Sequence, residues 1–162
     1  EYLGIATESA IKDPQNAYNL ICLNKVQEEY SLKALESAIK ISWCAYWLIC
    51  NNLVLKELFN EAYESIIKNS YYAYWLIEDN KIPEKYIEET IKSLIKNSYY
   101  AYWLIYHNDV SDEYYIKAIE SAINYKDFNM NIVNKERLNK LLDENNDEHK
   151  ELITKLVMIE LS

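Results

Sequence analysis

Ser98-Tyr99-Tyr100-Ala101-Tyr102-Trp103-Leu104-Ile105 repeats, residue for residue, the stretch Ser70-Tyr71-Tyr72-Ala73-Tyr74-Trp75-Leu76-Ile77 that stands 28 residues earlier. A further 28 residues back, Ser42-Trp43-Cys44-Ala45-Tyr46-Trp47-Leu48-Ile49 is the same octapeptide with two changes. A fourth, fainter copy keeps Ala17, Tyr18, Leu20 and Ile21 at the corresponding places. Self-similarity at one fixed period is the mark of a repeat array. Columns outside the octapeptide keep the same step: Ser9, Ser37, Ser65, Ser93 and Ser121; Ile11, Ile39, Ile67, Ile95 and Ile123; Asn24, Asn52, Asn80 and Asn108; Val26, Val54, Ile82 and Val110.

Each unit resolves into two helices. Helix A carries the octapeptide and is expected at roughly 14–23, 42–51, 70–79 and 98–107. Asp13-Pro14 supplies an N-cap followed by proline at the first helical position, and Asn69-Ser70 and Asn97-Ser98 supply capping side chains. The Asn column ends helix A, because asparagine is the next choice after glycine for a left-handed C-terminal residue and the chain has one glycine. The branched aliphatic two residues later suits the apolar contact that accompanies such a cap. Helix B is expected at roughly 27–40, 55–68, 83–96 and 111–124, with Pro83 at a first position and Ser111-Asp112-Glu113 as an N-terminal signature. Over 84–96 the apolar residues Tyr86, Ile87, Ile91, Leu94 and Ile95 form one face, with Lys85, Glu88, Glu89, Lys92 and Lys96 opposite. The Ser column beside that face allows a neighbouring helix to approach closely.

The ends depart from the pattern. Residues 2–12 match helix B alone, so the chain enters in mid-repeat at Glu1. That points to a longer parent, or to a lone helix used as an N-terminal cap. At the other end Phe128, Met130, Ile132 and Val133 keep helix-A places, whereas Asp127, Asn129 and Asn131 replace Tyr, Ala and Trp. Segments 134–144 and 148–161 read as two further amphipathic helices around the polar turn Glu144-Asn145-Asn146-Asp147. The array therefore covers 1–133: a half-repeat at 1–13, units at 14–41, 42–69, 70–97 and 98–125, and the degenerate start of a fifth at 126–133. A C-terminal helical cap follows at 134–162, as a solenoid end requires.

Composition agrees with an all-α chain: one Gly and two Pro among 162 residues leave little vocabulary for turns and hairpins. The formal net charge of −9 argues against duplex nucleic acid or an anionic membrane as partner. No apolar run reaches the ~20 residues that span a bilayer, and no signal peptide is evident. Cys22 and Cys50 are equivalent positions on successive repeats. Stacked helices lie ~8–10 Å apart and a disulfide needs Cα atoms within ~7 Å, so these two are not expected to pair. Scattered thiols indicate a reducing, cytoplasmic setting.

The pairing of helices and the Asp13-Pro14…Ala17-Tyr18 start of helix A resemble the HEAT-like α-solenoids over residues 2 to about 133. The unit is shorter than a standard HEAT or tetratricopeptide unit, and the tetratricopeptide Trp-Leu-Gly…Tyr…Ala…Phe…Pro pattern is absent. The chain is similar to the short HEAT-like units of bilin-lyase-type and phage or bacterial repeat proteins. That resemblance implies a right-handed α-α superhelix and a scaffold that grips a partner, with no shared catalytic residue.

Three features are candidates for function. Tyr71 and Trp75 share one side of helix A, and the Tyr46/Tyr74/Tyr102 and Trp47/Trp75/Trp103 columns, with Tyr71 and Tyr99, should form ladders. Helix A is apolar all round, so inter-repeat packing is the simpler reading, with Tyr74 and Tyr102 on its most outward edge. On that reading Trp75→Ala costs ~3–5 kcal/mol. The alternative is an aromatic groove that holds a protein or peptide, with sugar or base stacking a lesser variant. The lysine column Lys12, Lys40, Lys68 and Lys96 is most simply dipole compensation at the last turn of helix B, with Glu→Lys pairs four residues apart. The acidic run Asp143-Glu144-Asn145-Asn146-Asp147-Glu148 is a solvated turn. Catalytic and metal-ligand patterns are missing: His107 and His149 stand alone without HExxH or Cys/His spacing, and no glycine-rich phosphate loop exists. The expectation is a protein-binding scaffold, without cofactor or metal and not an enzyme. The second class is an acidic inhibitor or decoy, encoded by a phage or bacterium, that blocks a nucleic-acid-binding or defence enzyme.

Overall fold

The computed structural model describes residues 2–144 and 149–160; the acidic run from Asp143 to Glu148 lies outside the described residues from 145 on. Among the described residues the chain is helical and contains no strand. In order the helices are α1 (Tyr2–Ala10), α2 (Pro14–Cys22), α3 (Ser31–Ala38), α4 (Ser42–Cys50), α5 (Phe59–Ile67), α6 (Ser70–Glu78), α7 (Glu84–Leu94), α8 (Ser98–His107), α9 (Asp112–Ala122), α10 (Lys135–Glu144) and α11 (Lys150–Glu160). Helix A of the successive units is thus α2, α4, α6 and α8, and helix B is α3, α5, α7 and α9. Single 3₁₀ turns at Glu28–Tyr30 and Lys56–Leu58 lead into α3 and α5, so helix B starts later in those copies than the spacing suggests. Pro83 sits immediately ahead of α7, and its carbonyl accepts from the Tyr86 N–H at 2.9 Å.

The caps explain where helix A begins and ends. The Asp13 carboxylate accepts from the Asn16 N–H at 2.8 Å, Asn69 from Tyr71 at 3.1 Å, and Asn97 from Tyr99 and Tyr100 at 3.0 and 3.5 Å. Each satisfies an N–H that the first turn leaves without an intrahelical partner. In α4 the cap position is Ile41, with no such bond; there the Ser42 hydroxyl donates instead to the Ser65 carbonyl at 2.7 Å. At the other end Asn24, Asn52, Asn80 and Asn108 all take positive φ, from 51° to 60°. The next residue's N–H reaches back five positions in every copy: Lys25 to Leu20, Leu53 to Leu48, Lys81 to Leu76 and Asp109 to Leu104, at 2.9–3.0 Å. This is the Schellman arrangement, which satisfies carbonyls the helix end would leave open. Two residues beyond the left-handed Asn, Val54 and Val110 are buried and Val26 and Ile82 half-buried.

The chain divides into two compact units, Glu1–Ile87 and Glu88–Ser162. In the first, α2 packs on α3, α4 on α5, α5 on α6, and the A helices α2, α4 and α6 pack in succession. Its core runs through Ile11, Ala34, Leu35, Ile39, Leu48, Ile49, Leu58, Ile66 and Leu76. Ala17, Ala45 and Ala73, one per A helix, are wholly inaccessible to solvent; a methyl there lets the helices close up, and a larger side chain would cost ~1–3 kcal/mol through overpacking. In the second unit α8 packs on α9, α9 on α10, and α11 against a 3₁₀ turn at Met130–Ile132. The two amphipathic helices expected after residue 133 are α10 and α11, with Leu138, Leu152 and Leu156 buried.

Candidate interaction surface

Helix A is not buried all round. In the first unit Trp47, Tyr71 and Trp75 are 47, 52 and 40 % exposed, whereas Tyr46 and Tyr74 are 7 and 8 %. In the second unit Tyr99 is 42 % exposed and Tyr102 and Trp103 are half-buried. The expectation that Tyr74 and Tyr102 form the outward edge is therefore corrected: Tyr74 points into the core, and the outward edge belongs to the Tyr71/Trp75 face. A helix apolar on every side carries no asymmetry from which its outer face can be read.

The inward tyrosines knit repeats together. The Tyr46 hydroxyl donates to Asp79 Oδ2 at 2.7 Å, and its ring lies 5.5 Å from Tyr72. The Tyr63 hydroxyl donates to the Lys81 carbonyl at 2.8 Å, with its ring 5.1 Å from Tyr86. Lys81 Nζ donates to the Cys50 carbonyl at 2.7 Å. Burial, and then the bond to Asp79, pushes the Tyr46 hydroxyl well above the ordinary tyrosine range. Tyr18, with its ring 4.8 Å from Trp43, is pushed up to about 12 by burial and its bond to Cys22.

The outward rings repeat one geometry. Tyr71 meets Trp75 with centroids 6.2 Å apart and planes at 68°, and Tyr99 meets Trp103 at 6.2 Å and 68°. Edge-to-face pairs of this kind are stable in themselves and leave a notch between rings rather than a flat platform. In the first unit, ring contacts run from Trp47 through Tyr46, Tyr72 and Tyr71 to Trp75. In the second, Tyr102 touches Trp103, Tyr106, Tyr125 and Phe128, and the Trp103 indole N–H is buried with no hydrogen-bond partner.

The two outward columns have a boundary. Reading one per repeat, they are Gln15, Trp43, Tyr71, Tyr99, Asp127 and Asn19, Trp47, Trp75, Trp103, Asn131. Gln15, Asn19, Asp127 and Asn131 are all exposed. The outer face of helix A is polar in α2 and aromatic in α4, α6 and α8, whereas Asp127 and Asn131 fall in a turn and in the 3₁₀ turn at Met130–Ile132 and belong to no helix A. At the N-terminal side the outer columns turn polar at Gln15 and Asn19 while the core column keeps Ala17, which marks the face as solvent-directed; at the C-terminal side Asn129 breaks the Ala column as well.

Lys12, Lys40, Lys68 and Lys96 are exposed, each three residues ahead of an outer-column position. The expected Glu→Lys pairs along helix B do not form: Glu8 turns to Lys33 at 3.6 Å, and among the described residues Lys12, Lys40 and Lys68 have no carboxylate within ion-pairing distance. In the first unit two grooves of about 290 and 310 Å³ open along this row, one beside Lys12 and Lys40, the next beside Lys40 and Lys68. Glu8 and Glu36 line the first groove with the lysines, and Glu36, Glu61 and Glu64 the second.

Arg137 drew no attention from the repeat pattern, being the chain's one arginine and lying beyond the register. It donates to Asp112 Oδ1 at 2.6 Å, Asn108 Oδ1 at 2.9 Å and the Val110 carbonyl at 2.6 Å, and stacks 4.1 Å over the buried Tyr115 ring. It fastens α10 to the α8–α9 turn. Cys22, Cys44 and Cys50 are free thiols; burial lifts the Cys44 thiol to about 11. Among the described residues no group of three His, Cys, Asp or Glu side chains is placed to hold a metal ion, and no helix is long and apolar enough to cross a membrane. No protein-family model, curated protein or solved structure matches the chain.

Proposed function

We propose that the protein is a binding module whose outward aromatic strip on the first unit, Trp47, Tyr71 and Trp75, grips a segment of another protein, with Tyr99 and Trp103 as a separate aromatic surface of the second unit. One observation carries the reading: Trp47, Tyr71 and Trp75 are 47, 52 and 40 % exposed on α4 and α6, where the equivalent places on α2 are the polar Gln15 and Asn19. Exposing large rings to water is unfavourable by about 25 cal/mol per Å² of apolar surface. Tyrosine and tryptophan are the residues that dominate protein-binding hot spots. Tyr46 and Tyr74 act in this reading as supports beneath the strip. The arrangement of the units as a short-repeat, HEAT-like, right-handed superhelix belongs to the same proposal and rests on the 28-residue period and the four equivalent left-handed caps. The module is read as acting without catalysis of its own.

The test uses an affinity pull-down from cell lysate with the wild type and with Trp47→Asn/Trp75→Asn, the residue the chain itself places at Asn19 and Asn131. Proteins retained by the wild type and lost by the variant are the expected result. Identical recovery by the two chains would contradict the proposal.

A further inference from the structure

We propose that α1 and the first repeat form an open seat for one more helix A, and that this seat takes an amphipathic helix of a partner protein. The grooves show that α1 stands as a helix B. The groove beside α1 is lined by Ile11, Lys12, Glu36, Ser37 and Lys40, and the next by their counterparts 28 residues on, Ile39, Lys40, Glu64, Ser65 and Lys68. Thus α1 is set against α3 as α3 is against α5. Both α3 and α5 have a helix A packed on them, α2 and α4 respectively, whereas among the described residues no helix A precedes α1. One column records the difference: Ala34 and Ala62 are wholly inaccessible, and Ala6 is exposed. Ala38 and Ile66 are inaccessible too, and Ala10 is half-buried. Beside Ala6, Ile5 is 63 % exposed at a place where the later copies carry Lys33 and Glu61.

Contacts between successive repeats supply the other wall and the chemistry of the occupant. Tyr46 of α4 donates to Asp79 at 2.7 Å and lies against Tyr72. Lys81 Nζ donates to the carbonyl of Cys50, the last residue of α4, at 2.7 Å. In the first repeat the places of Asp79, Tyr72 and Lys81 belong to Leu23, Asn16 and Lys25, all three exposed. The seat therefore continues the interface by which α4 joins the following repeat. Ala6 and Ala10 allow the close approach that helix A makes elsewhere. Leu23 offers no acceptor to a tyrosine hydroxyl, so the occupant is apolar where α4 carries Tyr46. Asn16 keeps one edge polar, so the occupant is amphipathic rather than apolar all round. Lys25 meets its C-terminal carbonyls, where a cation also complements the helix dipole. A second copy has no helix A to give: Ala17, Ala45, Ala73 and Ala101 are all inaccessible, so its four A helices are already packed.

The experiment is fluorescence anisotropy on the intact chain with two labelled, helix-stapled peptides. One is the sequence of residues 69–80 carrying Tyr71→Gln, Tyr74→Leu and Trp75→Asn; the other keeps Tyr74. The Leu peptide is expected to bind about tenfold more tightly, the effect of burying a hydroxyl without an acceptor. Leu23→Asp in the chain should reverse the order by re-creating the bond of Tyr46 to Asp79, and Ala6→Glu should weaken both peptides at least tenfold. A circular-dichroism melt confirms that each variant is folded. Trp47→Asn/Trp75→Asn in the chain should leave both affinities unchanged. Failure of either peptide to bind, indifference to Leu23→Asp and Ala6→Glu, or loss of binding with the tryptophan variant would overturn the seat. Dimerisation of the chain alone that Ala6→Glu abolishes, seen by sedimentation, would overturn the partner's helix in favour of a second copy. The aromatic strip is decided separately by its pull-down, since none of its residues lines the seat.

Discussion

At the scale of the residue, the account turns on side chains that look alike in sequence and differ in burial. Trp75 and Tyr74 are neighbours in an apolar octapeptide, yet one is 40 % exposed and the other 8 %. Replacement of Trp75 by Ala is therefore expected to cost ~1–2 kcal/mol, less than the ~3–5 kcal/mol of a core aromatic; urea denaturation measures it. The four left-handed asparagines make a second prediction. A Cβ-bearing residue without a short polar side chain pays ~1–2 kcal/mol in that conformation, and glycine pays none. Asn52→Ala should lower stability by about 1 kcal/mol and Asn52→Gly should leave it equal or higher, read from thermal melts. The thiols divide in the same way. Cys44 is wholly buried with its thiol raised to about 11, so an alkylating reagent at mildly alkaline pH should label the exposed Cys22 first and Cys44 only after unfolding. Simultaneous labelling in the native protein would contradict the packing of α4.

At the scale of the element, caps and fasteners decide where helices stop and how they hold. Helix A was legible in the sequence because its boundaries are chemical: Asp13, Asn69 and Asn97 offer side-chain acceptors to the first turn, and the Asn column offers a left-handed exit. Burial around helix A was not legible. Eight residues with seven apolar give no stripe, so the difference between Tyr71 and Tyr72 depends on which neighbours arrive, a tertiary fact. The Glu8–Lys12 pairing failed for a related reason, since Lys33 on the next B helix competes for the same carboxylate and exposed pairs are worth only ~0–1 kcal/mol. Arg137 escaped notice because its partners Asn108, Val110 and Asp112 lie 25–29 residues away and no periodic column announces it. With a 17 % exposed side chain and hydrogen bonds to charged and backbone groups, its loss is expected to cost ~2–3 kcal/mol. Hydrogen exchange on Arg137→Ala should show α10 losing protection while α4 and α5 keep theirs; uniform loss along the chain would contradict its role as a local fastener.

At the scale of the whole molecule, buried tyrosines should govern alkaline stability. The Tyr18, Tyr46, Tyr63 and Tyr115 hydroxyls all titrate above the usual value of about 10, chiefly through burial. Their folded forms hold protons that the unfolded chain releases, so the stability they contribute is complete below pH ~10 and declines as pH rises beyond it. Melts across that range should show the decline, shallower in Tyr46→Phe, where one such group is absent. Substitutions on the core side of helix A should be costly and those on its outer side mild. The most direct test sets the two faces of one helix layer against each other: thermal denaturation of Trp47→Asn/Trp75→Asn beside Tyr46→Asn/Tyr74→Asn. For a chain of this size 1 kcal/mol moves the midpoint by ~2–4 °C. The account predicts a shift of only several degrees for the tryptophan pair and a loss of roughly 15 °C or more, or of folding altogether, for the tyrosine pair; equal collapse of both would show that the outer rings are packing and that the strip is no binding surface.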